Sequence, residues 1–156
     1  MLSRPTVKAD IEPVGDLLGG MGATYESLLG RGLRALQEEW HTAELLAQQI
    51  DREDTSFLVV EDARSGIVAH AFASAQRSPI LFVVRPYVRP AYQRQGLGTR
   101  LLAGPFARHP DAELVRLNVV GGNDAALQFH RGQGFAILDE AEDEGGRSLR
   151  MERTLA

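Results

Sequence analysis

Between Val88 and Leu102 the chain reads Val88-Arg89-Pro90-Ala91-Tyr92-Gln93-Arg94-Gln95-Gly96-Leu97-Gly98-Thr99-Arg100-Leu101-Leu102. An apolar, strand-like run, Ile80 to Val88, enters this stretch, and an amphipathic, helix-like run leaves it. The turn between them is basic and amide-rich and closes on Gly96 and Gly98. A helix that starts at glycines leaves its first backbone N–H groups without intrahelical acceptors and turns the positive end of its dipole outward. Glycine lets a bulky anion come close to those donors, so these residue types at this spacing favour phosphate binding. Gly96 and Gly98 alone would also suit a plain strand-to-helix turn. A P-loop reading fails because no Gly-Lys-Ser/Thr follows the turn.

Other residues with chemical capacity are fewer. Asn123 is a good N-cap for a helix carrying Ala126, Leu127 and His130-Arg131. Arg94 and Arg100 are either plain surface charge or phosphate-attracting. His41, His70 and His109 have no metal-ligand spacing with one another or with an acid cluster, so no metal is expected. No acidic residue lies on Ile80 to Val88, so no general base is named. Glu26, Glu38 and Glu39 read as solvated helix charges, and Trp40 and Tyr25 as core residues.

These residues need a scaffold. Leu2 to Thr6 reads as a short strand that Pro5 confines to an edge or an end. Asp10 reads as an N-cap or first-turn acid ahead of Ile11, Val14, Leu17, Leu18 and Met21 at helical spacing, with Gly19, Gly20 and Gly22 ending that helix. Tyr25, Leu28 and Leu29 start another helical segment, interrupted at Gly30 and Gly32, and Leu33 to Ile50 continues in helical register. Phe57 to Val60, a turn at Ala63 to Gly66, and Ile67 to Ala73 form a hairpin. Pro86 marks an interruption or bulge in the Ile80–Val88 strand. Gly104-Pro105 should kink or shorten the helix after the turn. Leu114 to Val119 is a strand, Phe135 to Leu138 another, Glu140 to Gly146 an acidic loop, and Ser148 to Leu155 a terminal strand. The order predicts a three-layer α/β domain with a mixed sheet.

The 156 residues suit a single domain, 1–156, with a sizeable core. No apolar run is long enough to span a bilayer, and no basic-then-apolar leader is visible, so a cytoplasmic location is expected. The absence of cysteine excludes thiolate nucleophiles, disulfides and cysteine–zinc sites. A net charge of −4 argues against nucleic acid as the main partner.

Taken together, the motifs resemble the GCN5-related N-acetyltransferase (GNAT) superfamily. Its phosphate motif, Gln/Arg-x-x-Gly-x-Gly/Ala after a strand ending, stands here as Val88-Arg89-Pro90 followed by Gln93-Arg94-Gln95-Gly96-Leu97-Gly98. Its late Asn-x-x-Ala-x-x-Phe-Tyr-x-x-x-Gly-Phe segment stands as Asn123 to Phe135, and Arg4-Pro5-Thr6 to Asp10 resembles the opening of many members. The resemblance implies a mixed sheet with splayed central strands, acetyl-CoA as donor and a primary amine as acceptor. It implies that the backbone at Tyr87 and Val88 pairs with the pantetheine arm. The N–H groups of Gln93, Arg94, Gln95, Gly96, Leu97 and Gly98, with Thr99, would hold the pyrophosphate. Asn123 and Phe129 would lie near the arm or thioester, and the Val88 N–H would serve as oxyanion donor.

The family commonly has tyrosine where this chain has His130. A histidine there is either a general acid, since its unperturbed pKa of about 6.5 leaves a usable acid fraction near neutrality, or an inert surface helix residue. Without the tyrosine, a non-catalytic acetyl-CoA sensor is the competing function. Dimers are frequent among relatives, so a homodimer is also an expected state.

Overall fold

Pro5 has no N–H to give to a ladder. The strand that carries it, β1 (Leu2–Pro5), lies at one edge of the sheet in the computed structural model, which describes residues 1–29, 42–77, 79–143 and 146–155. After β1, a 3-10 turn (Lys8–Asp10) leads into helix α1 (Ile11–Leu29). Helix α2 (Ala43–Asp51) precedes the hairpin of β2 (Thr55–Asp62) and β3 (Gly66–Arg77), and β4 (Ile80–Val88) follows. A second 3-10 turn (Pro90–Tyr92) opens onto α3 (Leu97–Arg108). The chain then runs through β5 (Leu114–Val120), α4 (Asp124–Gly132), β6 (Ala136–Asp143) and β7 (Gly146–Thr154).

Among the described residues seven strands form one sheet in the order β1-β2-β3-β4-β5-β7-β6. Only β4 and β5 are parallel. Strand alternation divides the core between two faces. Phe57 and Val59 pack under Val14, Leu17 and Leu18 of α1 and Leu46 of α2. Leu58 and Val60 pack on the other side against Leu97 and Leu101 of α3. The result is the expected three-layer α/β domain with a mixed sheet.

The central strands splay. β4 and β5 pair only at Ile80↔Leu114, Leu81↔Val115 and Phe82↔Arg116. Beyond that point β4 keeps β3 as its partner and β5 keeps β7. At Arg85-Pro86 one residue of β3, Ala71, opposes two of β4, between His70↔Tyr87 and Phe72↔Val84. This is the bulge expected from Pro86, and it bends β4 where the gap opens.

Three local expectations are corrected and one is narrowed. Gly19, Gly20 and Gly22 do not end α1, which runs on to Leu29. Each glycine costs a helix about 1 kcal/mol, but Val14, Leu17 and Leu18 are buried and dock the helix on the sheet. Of the two roles expected for Asp10, it takes that of first-turn acid, in the 3-10 turn Lys8–Asp10, and does not cap α1. Its carboxylate accepts the Val7 N–H at 2.8 Å and two bonds from the Arg4 guanidinium at 2.7 and 2.9 Å. Glu140 to Asp143 are not loop but part of β6, an edge strand whose Asp139 and Glu140 pair with Arg150 and Arg147 of β7. Charge on an edge strand discourages pairing with foreign strands.

The last correction concerns Gly104-Pro105: of the kink or shortening expected there, the shortening is overturned, since α3 runs on to Arg108. A Cβ on Gly104 would sit 2.2 Å from Leu58 Cδ1, so the glycine is where the helix backbone seats on the sheet. Pro105 is buried beside it, and that burial offsets the hydrogen bond its missing N–H cannot make. Leu58 is itself buried and has little room to move. Gly104→Val is therefore expected to cost about 3 kcal/mol by overpacking, read as a lower urea midpoint. An unchanged midpoint would show that α3 does not rest on this contact.

Candidate active site

The Arg89 N–H donates to the Val68 carbonyl at 2.8 Å, so Arg89 faces β3. Backbone polar groups alternate sides along a strand. The N–H and C=O of Val88 therefore face the opposite way, into the gap between β4 and β5. The Val88 carbonyl accepts the side-chain N–H of Gln93 at 3.0 Å. Tyr87 differs from its sequence-based role: its backbone faces β3, and its ring is buried under α1. Of the pair Tyr87 and Val88, only Val88 offers backbone groups to the gap.

The turn that follows is built on left-handed backbone. Arg94 has φ +64°, the only non-glycine with positive φ among the described residues, and Gly96 has φ +80°. For Arg94 this conformation costs about 1–2 kcal/mol, a local strain of the kind found at functional sites. Gly96 caps α3 without a side-chain hydrogen bond, so the first N–H groups of α3 have no side-chain acceptor. A Cβ on Gly96 would meet nothing within 4 Å, so the turn is open at that position. Gln93, Arg94, Gln95, Gly96 and Thr99 are exposed, while Leu97 is buried and anchors the helix start. Arg100 donates to the Met1 carbonyl at 3.3 Å instead of reaching across the turn. The Tyr92 hydroxyl braces the other end on Ser65 Oγ.

The second motif meets the first. A Cβ on Gly98 would lie 2.9 Å from Phe129 Cζ, so the glycine makes room for that ring. Gln133, a residue the sequence reading passed over, donates to Thr99 Oγ1 at 3.3 Å. Asn123 caps α4 by accepting the Ala126 N–H at 3.2 Å, just past the open end of β5. The turn and α4 thus form one wall beside the gap, although 31 residues separate Gly98 from Phe129.

His130 is placed differently from one of the two sequence alternatives. It is not a surface residue: it is only 5 % exposed. Its ring stands edge-on between Phe129 and Phe135, with centroids 5.1 and 5.7 Å away. Its Nδ1 is buried without a hydrogen-bond partner. Burial among these rings pushes its pKa down to about 4. The acid fraction expected from an unperturbed imidazole is therefore absent near neutrality. Its burial had a sequence signal: Ala126 and Leu127, one turn earlier, both pack on the core.

Glu38, Glu39, Trp40 and His41 lie outside the described residues, as do the side chains of Tyr25 and Glu26. No group of three or more His, Asp or Glu side chains converges among the described residues. No described helix is long and apolar enough to cross a membrane.

An anion-binding turn, a splayed β4/β5 pair and an N–H aimed into the splay form one arrangement, and residues 23–135 match the sequence model of the acetyltransferase (GNAT) family. The chain belongs to the GNAT acetyltransferase family. Solved GNAT structures share its fold. The PaiA N-acetyltransferase of Thermoplasma acidophilum, solved with coenzyme A, is 20% identical, with 98% of each chain covered and a TM-score of 0.81. The phosphinothricin acetyltransferase of Sinorhizobium meliloti, solved with acetyl-CoA, is 19% identical over 99% of this chain and 88% of its own, at 0.74. The ribosomal-protein-alanine N-acetyltransferase of Brucella melitensis is 21% identical over 99% of this chain and 100% of its own, at 0.71. No curated protein sequence matches the chain.

Proposed function

We propose that this GNAT chain binds acetyl-CoA at the α3 turn and moves its acetyl group directly to a primary amine of a small molecule or protein. The Val88 N–H aimed into the β4/β5 gap beside an uncapped helix start carries this reading. Acetyl-CoA supplies an activated acyl group as a thioester, which a neutral amine attacks. The backbone N–H groups from Gln93 to Gly98, with the Thr99 hydroxyl, hold the pyrophosphate. The Val88 N–H holds the carbonyl oxygen and strengthens its bond as charge builds there, a type of contact worth about 10²–10³ in rate. The gap walls, with Phe129 and Asn123 on one side, orient the arm so that attack is effectively unimolecular.

With a pKa of about 4, His130 holds a proton in about one molecule per thousand at neutral pH. We therefore assign it to packing Phe129 and Phe135, and water in the open gap takes up the proton that the attacking amine loses and returns one to the departing thiolate. Two of the similar folds carry names with quite different acceptors, phosphinothricin and ribosomal-protein alanine, and a panel of amines and peptides separates a small acceptor from a protein one. The proposal includes a cytoplasmic homodimer, to be checked by cell fractionation and sedimentation.

The test is release of CoA thiol from acetyl-CoA across a broad panel of small amines and peptides. Amine-dependent release with a matching acetamide product is expected. Tight acetyl-CoA binding without release from any acceptor would favour the sensor reading instead.

A further inference from the structure

The Val88 carbonyl is the one backbone acceptor that the Tyr87–Val88 pair turns into the gap, and it is already engaged. Its partner is a primary amide, Gln93 Nε2, at 3.0 Å. Gln93 is exposed and stands five residues on, at the start of the turn. Its side chain reaches back across the 3-10 turn Pro90–Tyr92 to make this bond. In a strand, the N–H and C=O of one residue point the same way, so Val88 offers a donor and an acceptor side by side. A strand-like amide chain lying in the gap would take the acceptor, which leaves the donor to the thioester carbonyl. The Gln93 amide supplies to Val88 the same N–H that such a chain would supply.

We propose that the Gln93 side chain is a positioning residue that stands in for a pantetheine amide, occupying the Val88 carbonyl until the arm arrives and then yielding it. This rests on the acetyl-CoA reading above. It has two consequences. The end of β4 keeps a satisfied carbonyl while the gap is empty, which fixes the direction of the Val88 N–H before substrate binds. Binding of the arm then exchanges one amide hydrogen bond for another, so Gln93 lowers the affinity for the arm while leaving affinity for the phosphates alone.

The test compares two probes by isothermal titration calorimetry: CoA, which has the arm, and adenosine 3′,5′-bisphosphate, which lacks it. Gln93→Ala removes the competing amide. Gln93→Met keeps its length and removes the donor without adding a charge that would act unequally on the two probes. The ratio of CoA affinity to bisphosphate affinity should rise about two- to tenfold in both variants, the worth of one ordinary hydrogen bond. Bisphosphate binding also reports that each variant is folded. A ratio that stays level or falls while wild type binds CoA overturns the stand-in role alone. Failure of the wild type to bind CoA at all overturns the acetyl-CoA reading and this role with it.

Discussion

Gly96→Asp is expected to weaken acetyl-CoA binding by about two orders of magnitude. The added carboxylate would stand at the N-cap of α3, where a Cβ meets nothing within 4 Å. One carboxylate opposing one phosphate charge at about 5 Å, in an effective dielectric near 20, costs about 3 kcal/mol, which is a little over a hundredfold in affinity. Backbone strain must be separated from charge, because residue 96 has φ +80°. Gly96→Ala provides that separation. It bears the same left-handed strain, about 1–2 kcal/mol, without the charge, and aspartate tolerates this backbone region better than alanine. Calorimetric titration with CoA should therefore show a change of only a few-fold for alanine and a near loss of binding for aspartate. If the aspartate variant binds CoA like the wild type, the turn does not hold the pyrophosphate.

The second large effect concerns acid stability. The folded His130 pKa is about 4, against about 6.5 for the unfolded chain. As pH falls below 6.5, the unfolded state takes up this proton first, so stability falls with pH through the window from 6.5 to about 4 and levels off below it. The whole window amounts to about 3 kcal/mol for this one group. Burial of His109 acts with the same sign. Asp10, whose pKa is lowered chiefly by its hydrogen bonds from Arg4, adds stability that is lost only further into acid. His130→Phe isolates the histidine, because a ring already surrounded by Phe129 and Phe135 loses only its titration. Urea unfolding at pH 7 and at pH 4.5 should show a much smaller loss for the variant than for the wild type. An imidazole resonance of His130 that titrates near 6.5 would refute the buried, neutral state and return the general-acid role to it.

What was legible in the sequence was local. The turn from Gln93 to Gly98 and the cap at Asn123 are written in residues a few positions apart, and backbone geometry follows from them directly. Pro5 and Pro86 announced an edge and a bulge because a missing N–H leaves few other places. The Arg4-to-Asp10 opening was legible as a pattern, and its two guanidinium hydrogen bonds explain the spacing. What failed was decided by packing between distant segments. Glycine propensity predicted a break in α1, but the buried Val14, Leu17 and Leu18 outweighed it. Gly98 was read as room for a phosphate, and it also makes room for Phe129, which no local pattern reveals. The acids of β6 looked like loop because their arginine partners lie on the next strand. His130 looked usable as an acid because a helix alone does not tell which rings will close around it.

The position of β7 bears on the order in which the molecule can be made. β7 lies between β5 and β6, with Leu114 opposite Thr154 and Leu117 opposite Met151. On its other side β5 has only three paired residues with β4. During synthesis, β5 and β6 therefore emerge before the strand that joins them, and Val115, Leu117 and Val119 wait for Met151 to close their core. The anion turn and the β2–β3–β4 half need no such wait. Assembly of the second half is thus tied to emergence of Gly146–Thr154 from the ribosome, and a nascent chain stalled before that point would expose the edges of β5 and β6.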